Sequence, residues 1–327
     1  MTIDRQSVPL LAIEELSIEF RTRSGTVRAL DRVGFSLKRG ETLALVGESG
    51  SGKSVTAMAI MGILDDAAYV TGGNITFGGL DLLAASPRAL DEIRGREVAM
   101  IFQNPRAALN PIRPIGKQIA DVLVRHGNVT GAQAPERAIE MLAKVRIPDP
   151  KRRAGSYPFE LSGGMCQRVM IAMALACEPA MLIADEPTTG LDITTQATIM
   201  DLIAELAAAH SMATLLITHD LGLASEYCDR IAVMHAGQIV ETSPTAALFA
   251  NPRHPYTAKL IAATPGDVSC LADLASIPGG LPDLRRVDLP ACRYSARCER
   301  SADECLLLPV PRLALAGGAE VVCRHPL

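Results

Sequence analysis

Tryptophan is absent from the sequence, and aromatic residues make up only 3% of its 327 positions. Proteins that hold nucleic acid stack its bases on aromatic side chains, so this composition leaves few platforms for that purpose. The formal net charge is −4, whereas binding a polyanion calls for a positive excess. The composition therefore predicts that nucleic acid is not a partner.

The sequence also lacks a hydrophobic run of the roughly 18 residues that a membrane span needs. The longest candidate, residues 169–184, is interrupted by Glu178 and Pro179. The first residues, MTIDRQSVPLLAIEEL, do not place an apolar core after a basic region, as a secretory signal would. We therefore expect a soluble, cytoplasmic chain that reaches a membrane only through partners.

One stretch matches the phosphate-binding pattern G-x-x-x-x-G-K-[ST] at every fixed position. Residues 42–46 before it read as a buried parallel strand, and residues 55–64 after it read as a helix. Strand, glycine loop and helix are the context that this pattern requires. The loop consists of Gly47, Glu48, Ser49, Gly50, Ser51, Gly52, Lys53 and Ser54.

The chemistry of such a loop follows from its backbone. Glycines let the main-chain N–H groups turn inward, and the following helix adds the positive end of its dipole, so a polyphosphate finds an anion cradle. Lys53 then bridges the β- and γ-phosphates, and the Ser54 hydroxyl binds Mg²⁺. The stretch predicts binding of a nucleoside triphosphate.

Residues 11–46 alternate apolar and polar positions, which predicts a group of antiparallel strands before the loop. Phe20 ends the first of these strands. Its ring is either a stacking surface for a nucleotide base or an ordinary core side chain.

A buried strand over residues 98–102 delivers Gln103 to the carboxyl edge of a sheet, where ligands bind in α/β proteins. Residues 104–114, rich in Pro and Asn, predict an ordered loop, and residues 115–176 predict an inserted helical subdomain.

Within that subdomain, LSGGMCQR at residues 161–168 precedes an apolar helix over residues 169–177. Ser162 is placed to cap this helix, and Gly163 and Gly164 keep its first turn open. The segment is either a second phosphate-binding surface or simply a well-capped helix.

The apolar strand at residues 181–186 ends in two carboxylates. Adjacent strand residues point to opposite faces, so Asp185 is expected to hold Mg²⁺ and Glu186 to polarise an attacking water. After a helix over residues 193–209, a strand at residues 214–218 ends at His219, which is a candidate for touching the γ-phosphate. Residues 231–241 predict a hairpin.

These motifs together resemble the ATP-binding subunit of an ABC transporter. In chain order the resemblance covers Walker A at residues 47–54, the Q-loop at Gln103, the LSGGQ-type signature at residues 161–167, Walker B at residues 181–186, the D-loop at residues 190–192 and the switch histidine at His219. Phe20 falls where the family places its adenine-stacking aromatic. The signature differs from the family's common sequence at one position, because this chain has Cys166 where relatives often have Arg.

The resemblance implies an α/β P-loop NTPase with a RecA-like core, an antiparallel β subdomain and a helical subdomain. Composition shifts near Pro244, and residues 264–327 are rich in Pro and Gly, with five of the eight cysteines. We therefore expect a nucleotide-binding domain over residues 10–262, with its helical subdomain at about 104–178. A loop-rich, cysteine-containing extension follows over residues 263–327.

A narrower resemblance rests on residues 105–111 (PRAALNP), residues 251–257 (NPRHPYT) and the tail from residue 277 to residue 326. These look like the oligopeptide and dipeptide branch of the peptide/nickel importers. They imply ATP-driven uptake of di- or oligopeptides, with nickel or glutathione as the alternative cargo. A soluble ABC ATPase acting on DNA or ribosomes is disfavoured, because only 58 residues separate Gln103 from Ser162 and no heptads run through them.

The resemblance also implies how the chain works. ATP and Mg²⁺ are held between two ATPase subunits, Walker A of one facing the signature of the other, so the chain pairs with a second copy of itself or, as importers of this branch often do, with a similar but different ATPase. Lys53, Gln103, Glu186 and His219 are the catalytic residues, and Ser54, Gln103 and Asp185 bind Mg²⁺. Two transmembrane permeases and an extracytoplasmic binding protein complete the assembly, which places the chain on the cytoplasmic face of the inner membrane.

Four tail cysteines, Cys292, Cys298, Cys305 and Cys323, have five, six and seventeen residues between them. Disulfides are disfavoured in the cytosol, and the paired C-x₂₋₄-C spacing of zinc sites is missing. Similar importer tails carry a [4Fe–4S] cluster, and these four cysteines match their pattern, so the resemblance implies a cluster, with free thiols and zinc as the alternatives. The other four cysteines, Cys166, Cys177, Cys228 and Cys270, are expected to be incidental.

Overall fold

The computed structural model describes residues 8–264 and 276–327. Cys270 lies outside these residues. Two compact units divide the chain, the first formed by residues 1–38, 42–84 and 216–327 and the second by residues 39–41 and 85–215.

The regular elements follow one another in a mixed α/β order. The strands are β1 Leu11–Thr22, β2 Gly25–Leu37, β3 Thr42–Val46, β4 Ala68–Phe77, β5 Leu80–Asp81, β6 Val98–Ile101, β7 Met181–Asp185, β8 Ala213–Thr218, β9 Arg230–His235, β10 Gln238–Pro244, β11 Arg312–Ala314 and β12 Glu320–Val322. The helices are α1 Lys53–Met61, α2 Pro87–Ile93, α3 Pro105–Ala108, α4 Ile115–His126, α5 Ala134–Lys144, α6 Pro150–Arg153, α7 Gly163–Leu175, α8 Ile193–His210, α9 Leu221–Tyr227, α10 Thr245–Ala250, α11 Pro255–Ala262 and α12 Asp303–Leu307. Short 3₁₀ turns lie at Pro158–Glu160, Ser295–Arg297 and Ala316–Gly318.

The first unit contains the predicted antiparallel group as a sheet in the order β2-β1-β4-β5. Strand β1 lies between β2 and β4, and its register shifts between Ile13 and Leu16 on the β2 side. The prediction placed the end of the first strand at Phe20, but β1 continues to Thr22. The reason is that Thr22 still pairs with Gly25, so the chain turns only at residues 23–24.

A second sheet of this unit runs in the order β11-β12-β10-β9-β3. Strand β3 lies parallel to β9, and Leu43, Ala44, Leu45 and Val46 are all fully buried, as an uninterrupted apolar run requires. The predicted hairpin is confirmed. It turns through Ala236 at φ 47° and Gly237 at φ 84°, the pair of left-handed residues that a tight two-residue turn demands.

In the second unit, β6 and β7 pair in parallel, with Val98 opposite Met181. Helices α4, α5 and α7 pack against one another here, as the predicted helical segment requires. Strand β8 crosses the division of the chain, with residues 213–215 in this unit and residues 216–218 in the first.

Two boundaries in the second unit differ from the prediction. Residues 104–114 include the short helix α3, because the Asn104 side chain accepts the Ala107 N–H at 3.2 Å and Pro105 fits the first helical position. The predicted cap at Ser162 is confirmed, because Ser162 Oγ accepts the Met165 N–H at 3.3 Å, and it starts α7 at Gly163, six residues before the predicted Val169.

No helix in the described residues combines the length and the apolar character needed to cross a membrane.

Candidate functional site

The phosphate loop links β3 to α1 in the first unit. Gly47 has φ 155°, and a Cβ atom built on it would lie 2.1 Å from the Met234 carbonyl oxygen, so only glycine fits there. The Ser51 carbonyl accepts the Gly237 N–H at 2.7 Å, which fixes the loop to the β9–β10 hairpin. Strand, loop and helix therefore stand in the predicted order.

Lys53 is the first residue of α1 and is only 5% exposed. Its Nζ donates to the Gly47 carbonyl at 2.8 Å and to the Glu48 carbonyl at 3.0 Å, so the ammonium group lies against the main chain of the loop. The N-cap of α1 is Gly52, which has no side chain to bind the first N–H groups of the helix. A helix terminus of this kind, with a cation beside it, favours an anion.

The carboxylate of Glu186 is held by two donors in the second unit. Gln103 Nε2 donates to Glu186 Oε2 at 2.7 Å, and Thr189 Oγ1 donates to the same oxygen at 2.9 Å. Glu186 has φ 46°, a left-handed conformation that costs a side-chain-bearing residue about 1 kcal/mol or more and is concentrated at functional sites. The structure thus brings together two predicted residues, Gln103 and Glu186.

Asp185, the last residue of β7, is buried, whereas Glu186 is half-buried. Sequence reasoning expected different tasks for the two acids because neighbouring strand residues face opposite ways. Their different burial agrees with that expectation.

The signature segment opens α7 with Ser162 exposed and Gly163 and Gly164 half-buried. Cys166 is fully buried, and its Sγ donates to the Pro158 carbonyl at 3.4 Å. Burial raises the pKa of this thiol, so it stays protonated and unreactive. Cys166 therefore lies on the buried side of α7 and does not alter the first turn of that helix.

Two other predicted residues lie in the first unit. His219 is exposed just after β8, and the next residue, Asp220, caps α9 by accepting the Leu223 N–H at 3.2 Å. Phe20 is half-buried on β1, opposite Val27 on one side and Ala68 on the other. Its ring is therefore not a core side chain in the described structure.

The four tail cysteines line one small cavity in the first unit, with a volume of about 20 Å³. Cys292, Cys298, Cys305 and Cys323 are all free thiols there. Burial, with a smaller contribution from the neighbouring thiols, raises the pKa of Cys292 to about 11. Within residues 8–264 and 276–327, no group of three or more His, Cys, Asp or Glu is arranged to hold a metal ion.

Sequence reasoning missed three side chains that contact predicted site residues. Thr189 binds Glu186, while Tyr256 and Arg297 bind Glu48. Thr189 follows Glu186 by three residues in a turn, a spacing that gives no clue to the contact. Tyr256 belongs to the segment NPRHPYT, which had been noticed only as part of the family resemblance.

The glycine loop with its buried lysine, and the glutamine-bound glutamate after a buried parallel strand, define an ATP-binding cassette. The ABC transporter family profile matches residues 30–189. A second profile, described as the C-terminal region of oligopeptide/dipeptide transporters, matches residues 240–305.

The dipeptide transport ATP-binding protein DppD of Escherichia coli is 46% identical over 319 residues, covering 97% of this chain and 97% of that protein. The oligopeptide transport ATP-binding protein OppD of Bacillus subtilis is 49% identical over 277 residues, covering 84% of this chain and 77% of that protein. A solved dimer of the cassette MJ0796, bound to ADP and phosphate, has a TM-score of 0.65 and 27% identity over 72% of this chain and 98% of that one.

The chain belongs to the ABC transporter family, as an ATP-binding subunit of the oligopeptide/dipeptide transporter branch. It is an ATPase, like the other ATP-binding members of that family.

Proposed function

We propose that this chain hydrolyses ATP to power the uptake of di- or oligopeptides through an ABC importer. The observation that carries the peptide assignment is that similarity to DppD and to the oligopeptide/dipeptide profile continues through the C-terminal region. Nickel and glutathione remain the alternative cargoes that the test below includes.

We further propose the division into a nucleotide-binding domain at residues 10–262, its helical subdomain at about 104–178, and an extension at residues 263–327. The chain acts with a second, different ATPase and two permeases, and an extracytoplasmic binding protein delivers the cargo. It lies peripherally on the cytoplasmic face of the inner membrane. The dimeric state of the related cassette supports the pairing of two ATPases.

We assign each predicted residue a role in ATP binding or hydrolysis. Lys53 and the N-terminus of α1 hold the phosphates, and Ser54 and Asp185 hold Mg²⁺. Glu186 orients the attacking water, with Gln103 bound to its carboxylate at 2.7 Å and also serving the metal. His219 touches the γ-phosphate, Phe20 stacks on the adenine, and Ser162, Gly163 and Gly164 face the nucleotide of the partner ATPase.

Uptake of labelled dipeptides, oligopeptides, glutathione and nickel tests the assignment. A strain whose only copy of this protein carries Glu186→Gln should lose peptide uptake almost completely, because transport stops when ATP is not hydrolysed. Uptake of the other two cargoes should stay at the wild-type level. If only nickel uptake or only glutathione uptake is lost, that compound is the cargo and peptides are not. Unchanged uptake of all four compounds would contradict the importer assignment.

We also propose that the four tail thiols hold a [4Fe–4S] cluster. All four line one cavity, which suits a ligand that needs several thiolates. The absence of a single-ion site in the described residues is compatible with this proposal. Cys292, Cys298, Cys305 and Cys323 would supply the four thiolates that such a cluster needs. Such a cluster would cross-link the extension and would provide a redox-active centre.

Iron and acid-labile sulfide analysis of anaerobically purified protein tests the cluster. Wild type should contain about four irons per chain, and Cys305→Ala should lose most of them. Cys228→Ala is the matched control, because Cys228 is equally buried but does not line the cavity, and it should keep its iron. Wild-type protein with no iron and stoichiometric zinc would contradict the cluster.

A further inference from the structure

The C-terminal region reaches the phosphate loop through one ion pair within the first unit. Arg297 Nη1 lies 3.0 Å from Glu48 Oε1 and 3.1 Å from Oε2, and the bond to Oε2 has hydrogen-bond geometry. The side chain of Arg297 is only 7% exposed and that of Glu48 is 28% exposed. This pair is therefore much less screened by water than an ordinary surface salt bridge.

Arg297 is held in place by further contacts. Its Nε donates to the Pro278 carbonyl at 2.9 Å, and its Nη1 lies 3.2 Å from His235 Nε2. Burial and nearby cations lower the pKa of His235 to about 3, so the ring is neutral and Nε2 accepts from the guanidinium. The guanidinium is thus fixed before it meets the carboxylate.

Glu48 is also fixed through its main chain. Its N–H donates to the Tyr256 hydroxyl at 3.2 Å, and its carbonyl accepts from Lys53 Nζ at 3.0 Å. Tyr256 is fully buried, with its ring against His235 at a centroid distance of 4.7 Å. Glu48 is therefore held by Tyr256 and Arg297, which lie far away in the sequence, as well as by the nearby Lys53.

We infer that Arg297 is a positioning residue for the ATP site, which neutralises and anchors the Glu48 carboxylate so that the phosphate loop accepts a polyphosphate. A carboxylate inside an anion-binding loop opposes the ligand by charge repulsion, and a half-buried carboxylate without its partner opposes it more strongly. The inference rests on the proposed role of residues 47–54 as the nucleotide's phosphate loop.

The test is a titration of full-length protein with a non-hydrolysable MgATP analogue. Arg297→Gln should weaken binding about tenfold, because it leaves Glu48 charged and without this partner. Adding Glu48→Gln to that variant should recover most of the loss, since the second change removes the unneutralised charge. Arg297→Lys, which keeps the charge but loses the planar fork, should fall between wild type and Arg297→Gln.

A matched control is Arg285→Gln, because Arg285 is an exposed arginine of the same region, paired with Asp283. It should bind the analogue as wild type does. Wild-type affinity in Arg297→Gln, or a double variant that binds no better than the single one, would overturn the inference. A lowered melting temperature of Arg297→Gln with wild-type affinity would also overturn the inference, because Arg297 would then stabilise the fold without acting on the ATP site.

Two variants of Glu48 keep the test decisive should Arg297→Gln fail to fold. Glu48→Asp retains the charge on a side chain too short to reach Arg297 in the same way, whereas Glu48→Gln removes the charge. Glu48→Asp should bind the analogue more weakly than Glu48→Gln, and the reverse order would overturn the inference. Failure of the underlying ATP-site assignment looks different, because wild type itself would then not bind the analogue.

Discussion

We expect Glu186→Gln to lower steady-state ATP hydrolysis by about a thousandfold while ATP still binds. The carboxylate accepts from Gln103 at 2.7 Å and from Thr189 at 2.9 Å on one oxygen, which fixes its direction. An amide has the same shape and tolerates the left-handed backbone at φ 46° about as well. The change therefore removes the charge and basicity needed to polarise water and leaves the local structure in place.

Phosphate release from the assembled transporter measures this effect, and a parallel binding titration checks that the nucleotide site survives. Glu92→Gln provides the matched control, because it makes the same substitution in the same unit at a 68% exposed side chain that pairs with Arg88. The control should hydrolyse ATP at the wild-type rate. Normal turnover in Glu186→Gln would assign water activation to another residue.

Lys53→Ala should act on binding itself, lowering ATP affinity about a hundredfold, equivalent to about 3 kcal/mol. Lys53 is only 5% exposed and its ammonium group lies against the Gly47 and Glu48 carbonyls, so its charge acts in a weakly screened setting. Its removal takes away the one cation that the loop itself supplies. Lys53→Met, which keeps the apolar stem, should lose as much affinity and thereby separates charge from packing.

Isothermal titration with MgATP measures the change, and circular dichroism verifies the fold of each variant. Lys144→Ala, at an exposed lysine in the last turn of α5, should bind as wild type does. Retention of full affinity in both Lys53 variants would mean that residues 47–54 do not hold the phosphates.

Much of the local structure was predictable because its causes are local. The run at β3 is apolar at nearly every position, so it reads as a buried parallel strand, and the glycines after it mark the loop. The hairpin at residues 230–244 was visible because apolar residues flank Ala236-Gly237, a pair that can form the tight turn.

The errors lie at element boundaries, where one side chain decides the outcome. Asn104 caps a helix in a segment that was expected to be a loop, and Ser162 starts α7 six residues before the apolar run begins. Ser162 was predicted to cap α7, whereas the cap at Asn104 was not predicted, because a cap forms only when its oxygen meets a particular N–H group. Composition does not encode that distance.

The sequence by itself determined the class of protein, because the phosphate loop, the paired acids at a strand end and the signature segment are short patterns with fixed spacing. Tertiary structure alone decided which distant residues meet. Arg297 lies 249 positions from Glu48, and the four thiols around one cavity lack the paired spacing of a zinc site. Contacts of this kind depend on how β strands and loops far apart in the chain pack together, and spacing along the sequence carries no record of that.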